Sequence, residues 1–196
     1  MKALVTGFDP FGGSRGNASI EAVRRLPARI GSLDIVTAEL PTSYARAIPA
    51  LKQAIARAGP RIVLCVGEAG DRAVLSVERV AVNLQDARIP DNDGAAPADK
   101  PVVRGGPAAY FSGLPVRAIV AALQRGNLPA EASMSAGTFV CNHVFYGLMR
   151  IAAGRRGLRT GFLHVPGLSS RAMTVEDMAR GIGIVLEVAA RTRAPR

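Results

Sequence analysis

Short apolar runs alternate with helix-spaced apolar residues along the whole 196-residue chain. The runs "KALVTGF" (2–8) and "RIVLCVG" (61–67) have the length and branched content of buried strands, and "LDIVTAEL" (33–40) and "TGFLHVP" (160–166) read as strands. "VERVAVNL" (77–84) and the short "EASMSA" (131–136) are further strand candidates. Between them the spacing predicts helices. One lies near 18–26, with Asn17 or Ser19 as its cap. Another, in 43–59, ends at Gly59 and is interrupted or delayed by Pro49. A third starts at about Pro115, a favourable first-turn proline. From Cys141 to Ala153, Val144, Phe145, Leu148, Ile151 and Ala152 recur at helical spacing, and 174–193 forms a closing helix capped by Thr174.

Strands alternating with helices in this way predict a single α/β domain over 1–196: a mostly parallel, twisted, open sheet with helices on both faces. Residues 85–109, "QDARIPDNDGAAPADKPVVRGGPAA", are dense in Pro, Gly, Asp and Asn and read as a long surface excursion. In such folds the working crevice lies beyond the carboxyl ends of the strands. Four features fall there: the loop after Phe8, "GEAGDR" (67–72), the 136–141 segment, and His164 at its strand end.

Composition narrows the function. Hydrophobic residues make up 48% and charged residues 20%, a globular balance. No apolar run reaches the roughly 20 residues of a membrane helix, and no cleavable leader follows Lys2, so a cytoplasmic protein is expected. The net charge of +10 raises nucleic acid as a partner, but the charge is nearly all Arg and is spread out. Its densest groups are "GRRGLR" (154–159) and the tail "RTRAPR" (191–196), and no aromatic residues alternate with them as a stacking platform. A solvated Arg-biased surface is the expectation, with no nucleic-acid partner. Two cysteines and two histidines, scattered, match neither a disulfide framework nor a structural zinc site, so no metal is expected.

The loop "GFDPFGGSRG" lacks the Lys-Ser/Thr of a P-loop and does not fit G-x-G-x-x-G. Its Phe8 and Phe11 suit the wall of an apolar pocket, or equally a core beneath the loop. Cys65, inside "RIVLCVG", reads as a small core hydrophobe. Cys141 stands two places before His143 in "TFVCNHVF", and in a helix two positions are about 200° apart, so the two cannot face each other. His164 is the other histidine and lies at the active edge, the usual non-adjacent arrangement for a thiol nucleophile. At the first turn of a helix, free amides and the dipole would lower the thiol pKa and could hold an oxyanion. A merely buried thiol remains the alternative. Glu78, within an apolar run, either pairs with Arg72, Arg79 or Arg88 at a surface or accepts the Nδ1 hydrogen of His164.

Four segments together resemble the pyroglutamyl peptidase type I family, the pyrrolidone-carboxylate peptidases: "TGFDPFGG" (6–13), "SVERVAVNLQDARIPDNDG" (76–94), "SAGTFVCNHVFYGLM" (135–149) and "FLHVP" (162–166). The resemblance implies a cysteine peptidase that removes an N-terminal pyroglutamyl residue from peptides, without metal or cofactor. It makes Cys141 the nucleophile, His164 the general base and acid, and Glu78 the orienting acid. It places Phe8, Phe11, Phe139 and Val140 around the lactam ring, with Asn17 holding the loop and Glu68 at the pocket. It also implies a homotetramer in which the 85–109 excursion builds subunit contacts. The chain departs from the family pattern at Ala18 and Ile20 (more often Pro and Trp), Glu68 (Gln or Leu), Asp71 (Gly) and Gly167 (Tyr). These departures keep open a second expectation, a non-catalytic or altered-specificity peptide-binding protein on the same scaffold.

Overall fold

Strand β1 (Lys2–Phe8) is buried on both faces from Ala3 onward, which is why it reads as a continuous apolar run and not as an alternation. Leu4 and Phe8 face one side, Ala3 and Val5 the other. Around it, in a computed structural model that describes residues 1–191, the chain builds a seven-stranded sheet. Residues 192–196 lie outside the described residues, and with them most of the basic tail and the last two residues of the expected closing helix.

The other strands are β2 (Arg29–Ile30), β3 (Leu33–Leu40), β4 (Ile62–Ala69), β5 (Leu75–Glu78), β8 (Ala130–Ser133) and β9 (Arg159–Pro166), in the order β2-β3-β1-β4-β9-β5-β8. Pairing is parallel except for β2 with β3 and β5 with β9. The sheet is thus mostly parallel, as expected. Helices α1 (Ala18–Arg24), α3 (Val116–Arg125) and α5 (Val175–Arg191) cover one face, and α2 (Ala47–Ala58) and α4 (Val140–Ala153) the other. Both faces are therefore apolar, and each carries its own core.

Local signals fix the helix ends. Asn17 Oδ1 accepts from the Ser19 amide at 3.0 Å and caps α1. Gly59, at φ 59°, ends α2 in the left-handed region that glycine takes without strain. Thr174 Oγ1 accepts from the Asp177 amide at 3.1 Å at the head of α5. Helix α2 begins at Ala47, so Pro49 lies in its first turn, where its missing N–H costs no helical bond.

One expected strand divides in two. Residues 75–78 enter the main sheet as β5, and after Arg79 the chain continues as β6 (Val80–Val82), paired antiparallel with β7 (Ala109–Phe111) in a separate ribbon. The apolar pattern of "VERVAVNL" is continuous across this break, because only the partner strand distinguishes the two halves. The excursion is irregular but tied down. The Asp91 carboxylate accepts from the amides of Tyr44, Asp93 and Ala95 at 2.8–2.9 Å, and Asn92 Nδ2 donates to the Pro10 carbonyl at 2.8 Å. Asn142 of α4 holds the stretch after β6 through Val82 and Leu84, at 2.9–3.0 Å. No helix among the described residues is long and apolar enough to cross a membrane.

Candidate active site

From β1 the chain crosses to β3 on one side and later to β4 on the other, so the loops after β1 and β4 part at the carboxyl edge. A cavity of about 530 Å³ opens there. Phe11 from the first loop, residues 68–72 at the end of β4 and in the turn after it, Asp86, Arg88 and Ile89 of the excursion, 136–139 before α4, Cys141 and His164 line it. All four features expected at this edge contribute. A groove between α1 and α5, about 610 Å³, has neither thiol nor imidazole among its lining residues.

The sheet register assembles the chemistry. His164 of β9 is level with Gly67 of β4 on one side and Ser76 of β5 on the other. Residues level in register put their side chains on the same face. A Cβ on Gly67 would stand 2.8 Å from Cys141 Sγ and 2.9 Å from Phe162 Cζ, so the thiol rests on the bare backbone beside His164. Two residues after Ser76, Glu78 faces the same way and is fully buried. Its Oε1 lies 2.7 Å from His164 Nδ1. The same Oε1 accepts from the Arg72 guanidinium at 2.7 Å, and Oε2 has no hydrogen-bond partner. Arg72 and His164 thus reach the same oxygen of Glu78, and the carboxylate of the arginine pair is buried and not at a surface as that alternative had it. An ionised Glu78 requires the hydrogen on Nδ1 and leaves Nε2 as an acceptor.

Cys141 is the second residue of α4, where the first amides have no carbonyl partner within the helix. Against the expectation of a lowered value, the thiol pKa is raised to about 12, first by burial and next by the Glu78 carboxylate, with Arg72 acting in the opposite direction. Desolvation thus outweighs the helix end. Thiolate formation there depends on handing the proton to a neighbour.

His143 is not that neighbour. It is buried on the packing side of α4, its ring edge-on to Tyr44 with centroids 5.3 Å apart. Burial lowers its pKa to about 4, only partly offset by the Tyr44 backbone, and neither ring nitrogen has a well-formed hydrogen bond.

The six candidate pocket residues separate. Phe11 and Phe139 line the cavity, their rings 5.9 Å apart, and Glu68 stands beside them. Phe8 and Val140 are not among the lining residues: both lie in the core behind the wall. Phe8 packs toward Phe162 at 6.4 Å because β1 buries both faces, and Val140 points inward from the head of α4. Asn17 is also buried, capping α1 and donating through Nδ2 to the Asp9 carbonyl at 3.0 Å, so it holds the loop and does not line the cavity. Glu68 Oε2 accepts from the Ala18 amide at 2.5 Å, so this carboxylate is engaged by the N-terminus of α1. Asp71 is exposed at the mouth. At Gly167 a Cβ would come within 2.9 Å of Gly70 Cα, so the turn after β4 leaves no room there for a larger residue.

Gly67 and Asn142 did not emerge from sequence reasoning, and Arg72 emerged only as a surface partner. A glycine at a strand end and an arginine in a polar turn are ordinary in sequence, and only the register gives them their neighbours. Among the described residues no group of three His, Cys, Asp or Glu side chains is placed to hold a metal ion.

A buried imidazole–carboxylate pair near a thiol at a helix start, on the carboxyl edge of an α/β sheet, is the arrangement of an enzyme with a thiol nucleophile. A family model described as pyroglutamyl peptidase matches residues 1–194. The pyrrolidone-carboxylate peptidase of Treponema denticola is 42% identical over 95% of this chain and 92% of its own length. That of Erwinia tasmaniensis is 50% identical over 88% and 81%. The crystal structure of Bacillus amyloliquefaciens pyroglutamyl peptidase I superposes with a TM-score of 0.94 at 40% identity, covering 100% of this chain and 99% of that one. A variant of the Pyrococcus furiosus pyrrolidone carboxyl peptidase gives 0.93 at 35%, covering 97% and 98%. The chain belongs to the pyroglutamyl peptidase family.

Proposed function

We propose that the protein removes an N-terminal pyroglutamyl residue from peptides by way of an acyl-enzyme on Cys141. The observation that carries this reading is the seat of Cys141 Sγ over Gly67, level with an imidazole whose Nδ1 is held 2.7 Å from Glu78. Cys141 gives its proton to His164 Nε2 as sulfur attacks the pyroglutamyl carbonyl. The amides that open α4 receive the oxyanion. His164 then protonates the departing amine as the C–N bond breaks. Water, deprotonated by His164, cleaves the thioester to release pyroglutamate and restore the thiol. Glu78 keeps the imidazole in the tautomer that both steps need.

The lactam ring is small and uncharged, with one N–H and one C=O. Phe11 and Phe139 offer it apolar faces, backed by Phe8 and Val140, while Asn17 holds the loop and Glu68 stands at the rim. Two free thiols, Cys65 and Cys141, suit a reducing cytoplasm. A homotetramer belongs to the same reading, as the family resemblance implies.

The test is turnover of a pyroglutamyl-aminomethylcoumarin substrate by reduced protein. Fluorophore release that stops on alkylation by iodoacetamide and is unaffected by chelator is the expected result. No release while Cys141 remains free overturns the reading.

A further inference from the structure

Arg72 stands in the turn after β4, where sequence marks only a polar loop. Its side chain is 24% exposed, yet both of its hydrogen bonds run inward. One nitrogen donates to Glu78 Oε1 at 2.7 Å, and another donates to the Ser135 carbonyl at 2.8 Å, on the approach to α4. The guanidinium thus joins the β4 turn, the end of β5 and the segment that delivers Cys141. Glu78 is wholly buried, both of its donors converge on Oε1, and Oε2 is bare. A buried carboxylate without a compensating charge takes up a proton. Among the described residues Arg72 is the only permanently charged cation within ion-pair distance of it.

We propose that Arg72 is a positioning residue of this site: its guanidinium keeps Glu78 ionised, so that Glu78 accepts from His164 Nδ1–H and Nε2 stays free for the thiol proton. The proposal rests on the cysteine-peptidase reading of Cys141 and His164. With Arg72 in place, ionised Glu78, neutral His164 and the Cys141 thiol form a balanced group. Without it the group is negative by one charge and retains a proton to higher pH. Loss of the thiol proton from the group would then leave a second uncompensated negative charge.

No other group facing the thiol substitutes for it. Cys65 and Glu68 of β4 and Tyr44 ahead of α2 are neutral or acidic. Glu131 of β8, bound to Ser76 at 2.9 Å, is acidic too. Asp71, Asp86 and Arg88 lie on the outer cavity wall, all exposed.

The experiment uses the full, reduced chain and the variants Arg72→Met and Arg72→Lys. Iodoacetamide alkylation of Cys141 is followed by peptide mapping from about pH 6 to about pH 10. The histidine tautomers are read from long-range nitrogen-15 correlations, which the presence of only two histidines makes assignable. For Arg72→Met the pH–rate profile of alkylation should shift upward by about one pH unit or more. At pH 7 the reaction then slows about tenfold or more, and His164 leaves the Nδ1–H neutral form. Arg72→Lys, which keeps the charge, should stay within about threefold of the parent. A folded Arg72→Met with the parental pH–rate profile and tautomer overturns the proposal, as does a lysine variant as slow as the methionine one. Should Arg72→Met fail to fold, Arg72→Gln carries the same expectation and the same overturning result. None of these readouts needs turnover, so an unmodified chain inactive on the pyroglutamyl substrate would sink the function without deciding the role of Arg72.

Discussion

Gly67 and His164 lie level with each other in the parallel pairing of β4 and β9, and Cys141 Sγ fills the space that a side chain on Gly67 would need. Bare backbone at Gly67, level with the imidazole, leaves room for the thiol there. Gly67→Ala should therefore lower kcat/KM by about tenfold or more, since small displacements of reacting groups are costly. Its Cβ would also press on the buried Phe162 ring, so a loss of about 1–3 kcal/mol is expected in urea unfolding.

Cys141→Ser and His164→Ala should each reduce turnover by roughly a thousandfold or more while leaving thermal unfolding cooperative. Glu78→Gln should cost less, because it disturbs the orientation of His164 and removes no reacting group. Cys65→Ser should keep full turnover, since Cys65 is sealed inside β4, and should lose about 1–3 kcal/mol for its buried hydroxyl. Steady-state kinetics paired with denaturation curves separates these outcomes.

His143 should make stability depend on pH. Unfolded, it takes up a proton near 6.5, whereas folded it stays neutral until about 4. Between these values the unfolded chain binds more protons, so stability is full above about 6.5 and falls as pH drops toward 4. The loss is at most about 3 kcal/mol. His143→Leu should flatten that slope in urea titrations at several pH values and keep turnover within a few-fold. A large loss of turnover would reopen His143 as the base.

Glu68 should act as a brace for α1 as well as a rim residue. Its Oε2 receives the Ala18 amide, so Glu68→Ala should cost about 1–2 kcal/mol. Glu68→Gln, which keeps an acceptor, should cost only about 0.3–1 kcal/mol through the lost helix-end charge. Urea midpoints measure both, and KM for the pyroglutamyl substrate shows whether the carboxylate also contacts the ring.

Much of the scaffold is local, and so was legible in sequence. Strands buried on both faces need unbroken apolar runs, so β1, β4 and β9 stood out, and Asn17, Gly59 and Thr174 marked helix ends through hydrogen bonds or backbone angles spanning a few residues. Helix geometry alone separated Cys141 from His143, and the family motifs named Cys141, His164 and Glu78. The tertiary structure decided what depends on partners distant in the chain. The break of 77–84 into two sheets follows from which strand pairs with which, and the retreat of Phe8 and Val140 into the core follows from what packs on them. The raised thiol pKa, the seat over Gly67 and the convergence of Arg72 and His164 on one Glu78 oxygen come from burial and sheet register. Those are properties of neighbours brought together by the fold, and no spacing along the chain encodes them.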